Sequence, residues 1–449
     1  MPIVITAIGT RGDVQPLTAL ALALRARGHP VRLLVGANFR DWVASYGLET
    51  ATTSVDIQGM MDSRWGREWS EKGANPIRQL RAMQGLIDEF GWQLAEDIWQ
   101  ACQGATAIIG GFTTDTIVAS IAERLGVPQL SAPLQPATLT TRDGAAALDA
   151  PRPNRVSWLN YLTSRFLVEP VGWRLTHRIV NRLRRERLNL PPQNWRGYRA
   201  ALGRALLLGG YSRHVIPHPA DWPPNVHTTG YWFLPGEDDW QPPAALTAFL
   251  AAGPPPVCLG FGSMTASDPA ALTDLLVRAT ERSGQRAILL SGWAGLGDAT
   301  LPPTIFPLAS APHTWLFPHL SAVVHHGGAG TTAAGLAPAS PPSSSPTSAT
   351  SVPLGPPHRR PRPRSHPHPR RTLTADRLGD AIRLAATDPT MRHRATTIST
   401  KIRAENGIAA AIALIEPFLA QPPTALKPLT HAPTNPPNVA RFAPSTGPY

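Results

Sequence analysis

The first forty residues alternate between two kinds of apolar pattern. Ile3 to Ile8 is a continuous, largely β-branched run of the kind that forms a strand buried on both faces, whereas from Leu17 to Arg27 apolar residues return at helical spacing among strong helix formers. PVRLLVG, Pro30 to Gly36, reads as a second buried strand. Strand, loop, helix, strand is the unit of a doubly wound sheet, and it recurs at ATAIIGG, in a helix through Ile117 to Leu125, and at VPQLSAP. Between these repeats Met60 to Gln103 reads as helical and carries Trp65, Trp69, Phe90, Trp92 and Trp99. Core or interdomain packing is the commoner role of such aromatics, and walling an apolar cleft is the other.

The pattern starts again after the proline-rich stretch Pro217 to Pro256. PVCLGFGS predicts a buried strand with a glycine turn, Ala270 to Ser283 a helix, and QRAILLSGW another strand. The chain therefore divides into an α/β unit at 1–216, a linker at 217–256, a second α/β unit at 257–420 and a proline-rich, disordered tail at 421–449. Two such units facing each other leave a cleft between their strand ends, where open α/β sheets bind ligands.

The richest segment is VVHHGGAGTTAAGL, Val323 to Leu336, a buried strand running into a glycine-rich turn that opens a helix. Glycine lets backbone approach a bound phosphate, and the free amides and positive dipole end of the helix then point at it. An imidazole at the strand's end, His325 or His326, can donate to a phosphate oxygen. A diphosphate suits that arrangement. A tight turn with satisfied histidines is the plainer alternative.

HHGGAGTTAAGL, PHTWLFP at Pro312 to Pro318, GFGSM at Gly260 to Met264 and GTRGDVQPLTALALALRARGH at Gly9 to His29 stand in that chain as four ordered motifs. Together they resemble the bacterial family 1 glycosyltransferases related to sterol and antibiotic glycosyltransferases, which carry a family 28-like N-terminal domain. The resemblance covers Pro2 to Leu336 and resumes at Leu373 to Glu416. It implies the GT-B architecture of two Rossmann-like domains, with AENGIAAAIALIEPFL as a last helix crossing back to the first domain. It also implies inverting transfer of a hexose from a nucleotide diphosphate sugar, UDP-glucose foremost, to a hydroxyl of a lipophilic acceptor such as a sterol, lipid or polyketide. No metal or other cofactor is expected.

Such a transfer needs a base for the acceptor hydroxyl, a group that stabilises the departing diphosphate, and a pocket that aligns the two. By the resemblance, Asp13 is the general base, although an aspartate at a helix start also serves as a cap. Ser263, His326 and the amides of Gly328, Ala329, Gly330 and Thr331 would hold the diphosphate. His313 and Trp315 would lie near the nucleotide base, beside Thr314 where family members often carry an acid. The acidic pair of EDDW, Glu237 to Trp240, sits among prolines and reads as a solvated turn. GTRGD lacks the GxGxxG spacing of a nicotinamide dehydrogenase.

Composition narrows the setting. With 449 residues, 42% of them hydrophobic, the chain can fill two cores. Two cysteines supply neither a disulfide framework nor a metal cluster, which points to a reducing cytoplasm. No signal peptide or spanning segment is predicted. The net charge is +12, and WRLTHRIVNRLRRERLNL, within Arg174 to Arg199 apart from its first residue, repeats apolar residues at helical intervals between arginines. It could rest on an anionic membrane at the inner face, where a lipophilic acceptor would be found, or be a solvated helix. A nucleic-acid partner is not expected, because six of the arginines lie between His358 and Arg371, in a segment foreign to the fold.

That segment, Ala337 to Arg371, has no periodicity, no aromatic residue and no acid, and cannot supply the strand and helix that should follow the phosphate loop. Yet the resemblance resumes at LTADRLGDAIRLAATD with almost the expected separation. A reading-frame shift accounts for both facts. GC-rich codons for Ala337 to Ser351, read in a shifted register, can spell AGVPSLVVPYFGDQ, and those for about Leu354 to Pro363 can spell WGRRIAALG. In the resembling family the Asp-Gln pair of that loop holds the donor sugar's hydroxyls, and no residue of the chain as written replaces it. The written chain is therefore expected to keep the diphosphate motif, to lack a strand of its C-terminal sheet, and to transfer sugar poorly. A nucleotide-binding homologue without catalysis is the first alternative, and a basic nucleic-acid-binding protein the second.

Overall fold

The computed structural model describes residues 1–70, 76–135, 158, 161–162, 165–166, 169–235, 240–260, 268–292, 301–337, 350–353 and 374–421. The N-terminal unit is built on a sheet of β1 (Ile3–Ala7), β2 (Val31–Gly36), β3 (Glu49–Thr53), β4 (Ala107–Gly110), β5 (Gln129–Ser131), β6 (Leu206–Gly209) and β7 (Val226–Thr228). Its order is β3-β2-β1-β4-β5-β6-β7, with every pairing parallel. All five residues of β1 are buried, because β1 is covered on both faces.

One face packs against α1 (Arg11–Ala26) and α2 (Arg40–Ala44), which bring Leu17, Leu20, Leu24 and Val43 onto Ile3, Ile5 and Leu33. The other carries α3 (Ile57–Asp62), α4 (Arg64–Ser70), α5 (Pro76–Ala101), α6 (Asp115–Leu125), α7 (Glu169–Glu186) and α8 (Trp195–Arg204). Ile98, Ile121, Leu183 and Leu202 of these helices meet Val4, Leu34 and Ile108. Trp173 stacks on Tyr198 at 5.1 Å and Trp92 lies under Arg182, so part of the aromatic content of this layer goes into packing.

The second unit comprises α9 (Ala244–Ala251), β8 (Val257–Gly260), α10 (Pro269–Ser283), β9 (Ala287–Leu290), β10 (Ile305–Leu308), α11 (His313–Leu316), β11 (Ala322–His325), α12 (Ala329–Leu336), β12 (Thr350–Pro353), α13 (Ala375–Thr387), α14 (Pro389–Glu405) and α15 (Gly407–Leu419). Its parallel sheet runs β10-β9-β8-β11-β12. Leu276 and Ala279 of α10 and Leu378 and Ile382 of α13 cover one face, and Leu246 and Leu316 the other.

Two expectations change, and a third, the last helix crossing back to the first domain, holds. The C-terminal sheet does not lack its fifth strand: Thr350–Pro353 pairs with β11, Val324 opposite Val352. An edge strand needs only one neighbour's hydrogen-bond ladder, and Thr350 and Val352 are β-branched. This corrects the picture of 337–371 as wholly without structure; apart from Ala337, the rest of that segment and 422–449 lie outside the described residues. The stretch 217–256 is more than a linker, since β7 extends the N-terminal sheet and α9 packs on the C-terminal one. Finally, α15 belongs by packing to the first unit. The chain turns at Asn406, φ 44°, and then lays Ala411, Ile412 and Ile415 into the core with Leu20 and Leu24. Arg27 and Glu416 close the contact at 2.8 Å.

One buried acid sits under the N-terminal sheet. Asp115 is 1% exposed and accepts a 2.5 Å hydrogen bond from Ser131 Oγ, and burial pushes its carboxyl up to about 7. A carboxyl whose folded pKa exceeds its unfolded one favours the folded state while protonated, so stability falls as pH rises from the ordinary aspartate range through about 7. Asp115→Asn should flatten that slope and raise Tm relative to wild type above neutrality, measured by thermal unfolding across the pH range.

Candidate functional site

The N-terminal turn of α1 follows directly on β1, so its side chains emerge at the carboxyl edge of the sheet. Asp13 is the third residue of the helix, not its cap: Thr10 is the N-cap. The Thr10 amide donates to Asp13 Oδ2 at 2.8 Å and the Thr10 hydroxyl to the same oxygen at 3.1 Å. Both bonds fall on Oδ2, and Oδ1 takes none from a described residue. The side chain is open to solvent in the cleft, yet protein surrounds it on both sides. That desolvation raises its carboxyl above the ordinary aspartate range, against the lowering by Thr10.

Gly9 makes the arrangement possible. At φ 148°, a Cβ there would lie 2.3 Å from Asp13 Oδ2, a position no side chain can share with the carboxylate. From the next strand, the Thr113 hydroxyl donates to the Ile8 carbonyl at 3.4 Å. This ties the loop bearing Phe112, 41% exposed, to the loop bearing Asp13.

Across the cleft, β11 delivers His325 and His326 to the turn. His325 is buried, and its Nδ1 accepts the Gly327 amide at 3.1 Å, so it orders the loop. Gly327 takes φ 85°. His326 is half-buried and its Nε2 would sit 2.3 Å from a Cβ on Gly328, which puts its ring over the start of α12. The first helical bond runs from the Thr332 amide to the Gly328 carbonyl, so the amides of Ala329, Gly330 and Thr331 have no intrahelical acceptor. The four half-buried residues Gly328, Ala329, Gly330 and Thr331 form an anion-ready helix start.

The two helix starts meet. A Cβ on Gly330 would lie 3.0 Å from Gly12 Cα, so α1 and α12 approach backbone to backbone, with Asp13 and the glycine loop on opposite walls. Arg11, missed in the sequence as a cleft residue, sits at this junction. Its guanidinium lies 4.9 Å from the Trp42 ring centroid and its Nε donates to Gln15 Oε1 at 3.2 Å. Burial, together with the Arg11 charge, lowers His313 to about 4, leaving that imidazole neutral and stacked on Phe317 at 4.4 Å. Trp315 is held between Trp240, at 4.8 Å, and His319, at 4.5 Å. Ser263 and the Glu237–Asp239 acids lie outside the described residues. Among the described residues no cluster of three or more His, Cys, Asp or Glu could hold a metal ion, and no helix is long and apolar enough to cross a membrane.

Residues 3–142 match the glycosyltransferase family 28 N-terminal domain. Over 352 residues the chain is 35% identical to the sterol 3-beta-glucosyltransferase UGT80A2 of Arabidopsis thaliana, an alignment covering 75% of this chain. It spans 53% of that relative, about half its length. Among solved structures, the glycotransferase of kitacinnamycin superposes with a TM-score of 0.61 at 18% identity, covering 93% of this chain and 100% of that one. The Streptomyces glycosyltransferase SsfS6, complexed with thymidine diphosphate, superposes with a TM-score of 0.56 at 17% identity, covering 93% and 99%. The fold is thus GT-B.

A nucleoside diphosphate added to the chain should bind at the α12 start. His326→Ala removes one donor and Gly328→Ala displaces its ring, and each should weaken UDP binding about tenfold, the worth of one charge-assisted hydrogen bond. Isothermal titration with UDP checks this; unchanged affinity in both variants would remove the loop from the site.

Proposed function

This chain is a GT-B protein with a family 28 N-terminal domain that resembles the sterol glucosyltransferases, and from that premise we propose that it moves a hexose from a nucleotide diphosphate sugar to the hydroxyl of a lipophilic acceptor such as a sterol. The observation that carries this reading is the meeting of two helix starts at Gly12 and Gly330, with a carboxylate on one side and an anion loop on the other. Asp13 Oδ1 takes the acceptor's hydroxyl proton as the acceptor oxygen attacks the anomeric carbon. The bond from that carbon to the diphosphate oxygen breaks on the opposite face, so configuration inverts. The leaving diphosphate carries the electron pair, and its charge is met by the amides of Gly328 to Thr331, by His326 and by the dipole of α12. Ser263 would add a further donor to a phosphate oxygen. Trp315 and His313 stand beside the base, with UDP as the favoured nucleotide.

Because Thr10 fixes Oδ2, the free Oδ1 is the atom available to the acceptor, and the raised pKa makes Asp13 a stronger base than an ordinary aspartate. Phe112 offers an apolar contact next to it. Since the positive charge comes from the chain itself, turnover should not depend on an added divalent ion, and EDTA should leave the rate unchanged.

A second reading is favoured by one feature, the low-complexity stretch after Ala337 that interrupts the resemblance. We infer that the coding sequence is shifted there and that the written chain lacks the Asp-Gln contacts to the donor sugar, leaving a nucleotide binder with weak turnover. One lost charge-assisted hydrogen bond, to the Asp, and one neutral one, to the Gln, correspond to about 10–10³ in kcat/KM. Expressing the chain as written beside one with AGVPSLVVPYFGDQ restored should give equal UDP affinity, with transfer from UDP-glucose to a sterol rising by that factor only in the restored chain. Equal transfer by both would sink the frame proposal. In the restored chain Asp13→Asn should abolish transfer but not UDP binding. The wild-type rate should fall on acidification at a pH above the ordinary aspartate value, as Asp13 takes up its proton; a transfer rate indifferent to Asp13→Asn would dismiss it as the base.

A further inference from the structure

An acid stands where the last two helices meet, a place that local physics disfavours. Glu405 closes α14, at the negative end of that helix's dipole, where a carboxylate is unfavourable. Its side chain is also almost wholly buried, and burying a charge costs stability unless it is paired. Its cationic neighbours come no closer than 3.9 Å, the distance of both Arg213 Nε and His214 Nε2 from Oε1. The close contact is with backbone. Oε1 accepts the Arg213 amide at 3.1 Å, a charge-assisted bond from α14 to the turn that follows β6.

Two features on the receiving side suit this contact. Gly230, just after β7, takes φ 109°, and a Cβ there would lie 3.0 Å from Glu405 Cβ and 3.2 Å from Oε2. A glycine at that place leaves the room that the carboxylate fills. The Arg213 amide is presented by a short turn, in which buried Ser212 accepts the His214 amide on its hydroxyl at 3.1 Å and the Val215 and Ile216 amides on its carbonyl.

The bond joins the two units at a place that leads to the cleft. α14 is rooted in the C-terminal unit, with Met391 in the same core as Leu378 and Ile382. Farther along, Ser399 donates to the Ala337 carbonyl at the end of α12, at 3.4 Å. Ile398 lies with Ala333 and Leu336 of α12 in one cluster with Tyr211 and Tyr231 of the N-terminal unit. α14 thus touches the far end of the helix whose start is the glycine loop. At Asn406, in the left-handed region, the chain leaves for α15, so Glu405 is the last residue of the C-terminal unit before the crossing.

We propose that Glu405 is a latch: its bond to the Arg213 amide sets the angle between the two units, and through α14 and α12 it positions the glycine loop opposite Asp13. Its purpose rests on the transferase reading, whereas the latch itself is measured without turnover. Cys102 and Cys258 are buried, so spin labels on Arg124→Cys of α6 and Glu281→Cys of α10, both exposed, report the distance between the units in the full chain. The parent should give one distance. Glu405→Ala should raise the population at other distances about tenfold, the shift that losing one charge-assisted hydrogen bond produces. Glu405→Gln keeps an acceptor oxygen for the amide and should restore the parent distance. Ser212→Ala leaves the acid in place but loosens the turn, and should shift the population in the same direction; it decides the test if circular dichroism shows that Glu405→Ala does not fold. Hydrogen exchange of the α15 amides should equal the parent throughout, because Ile412 and Ile415 stay in the N-terminal core. Three results would overturn the proposal. They are the parent distance in both Glu405→Ala and Ser212→Ala, a spread in Glu405→Gln equal to that in Glu405→Ala, which would assign the effect to the charge, or faster α15 exchange in Glu405→Ala, which would reduce Glu405 to an anchor of that helix. With AGVPSLVVPYFGDQ restored, Glu405→Ala should lower kcat about tenfold and leave the KM for UDP-glucose unchanged, and an unchanged kcat would remove the positioning role. No transfer by any form, with the distances as expected, would count against the transferase reading and leave the latch standing.

Discussion

Two helix N-termini are held face to face with nothing between them larger than hydrogen. Gly12 and Gly330 meet at 3.0 Å from Cα to the position a Cβ would take, and the electrostatics of the cleft follow from that approach. Each helix start presents unpaired amides and the positive end of a dipole, and Arg11 adds a full charge beside them. Two like poles so close are unfavourable unless an anion sits in their field. Asp13, bound to the Thr10 amide, supplies one from within α1 itself. His313 stays neutral there because burial disfavours its charged form, and the Arg11 charge adds to that.

The approach at the front of the cleft is matched by a second at the back. A Cβ on Gly407 would lie 2.5 Å from the Tyr231 carbonyl, and one on Gly230 would lie 3.2 Å from Gly407 Cα, so the crossing into α15 also passes backbone against backbone. Glu405, 7% exposed in its side chain, stands over this crossing and accepts the Arg213 amide at 3.1 Å. Beyond it, Ile412 and Ile415 are buried in the core of the opposite unit. Burial of such side chains contributes about 1.5–3 kcal/mol each, which is enough to make the last helix a structural part of the N-terminal unit while its chain connection remains with the C-terminal one. The cleft is thereby fixed at two points, and a rotation that opens one must work against the other.

Much of this was legible in the amino-acid order. The continuous apolar runs at Ile3 to Ile8 and Val323 to His325 are buried parallel strands, and the turns after them read as ligand-facing because glycines and a helix start follow at once. What sequence could not carry was any role that depends on distant backbone. Gly9 is special only because Asp13 folds back over it, and Gly12 only because Gly330 arrives from more than three hundred residues away. Arg11 was missed as a cleft residue, since its neighbour His313 is brought in by the second unit. Asp115 gave no signal, because nothing local marks a carboxyl that will be enclosed by β5 and α8. β12 was missed for the opposite reason: a short edge strand draws its order from β11 and needs little pattern of its own.

The position at which the sequence pattern changes separates the two tasks that the proposed transfer requires. Every element of the proposed anion site, from His325 through the open amides of α12, is complete before Ala337, and it is built mainly of backbone. Recognition of a sugar ring differs physically. Hydroxyl groups have no charge for a dipole to grip, and must be met by side chains at fixed hydrogen-bond geometry. In the resembling family that task falls to a loop encoded just after α12. A shift of frame at Ala337 would therefore leave affinity for the nucleotide diphosphate almost untouched while removing the alignment of the anomeric carbon, and it is alignment that sets the rate of transfer.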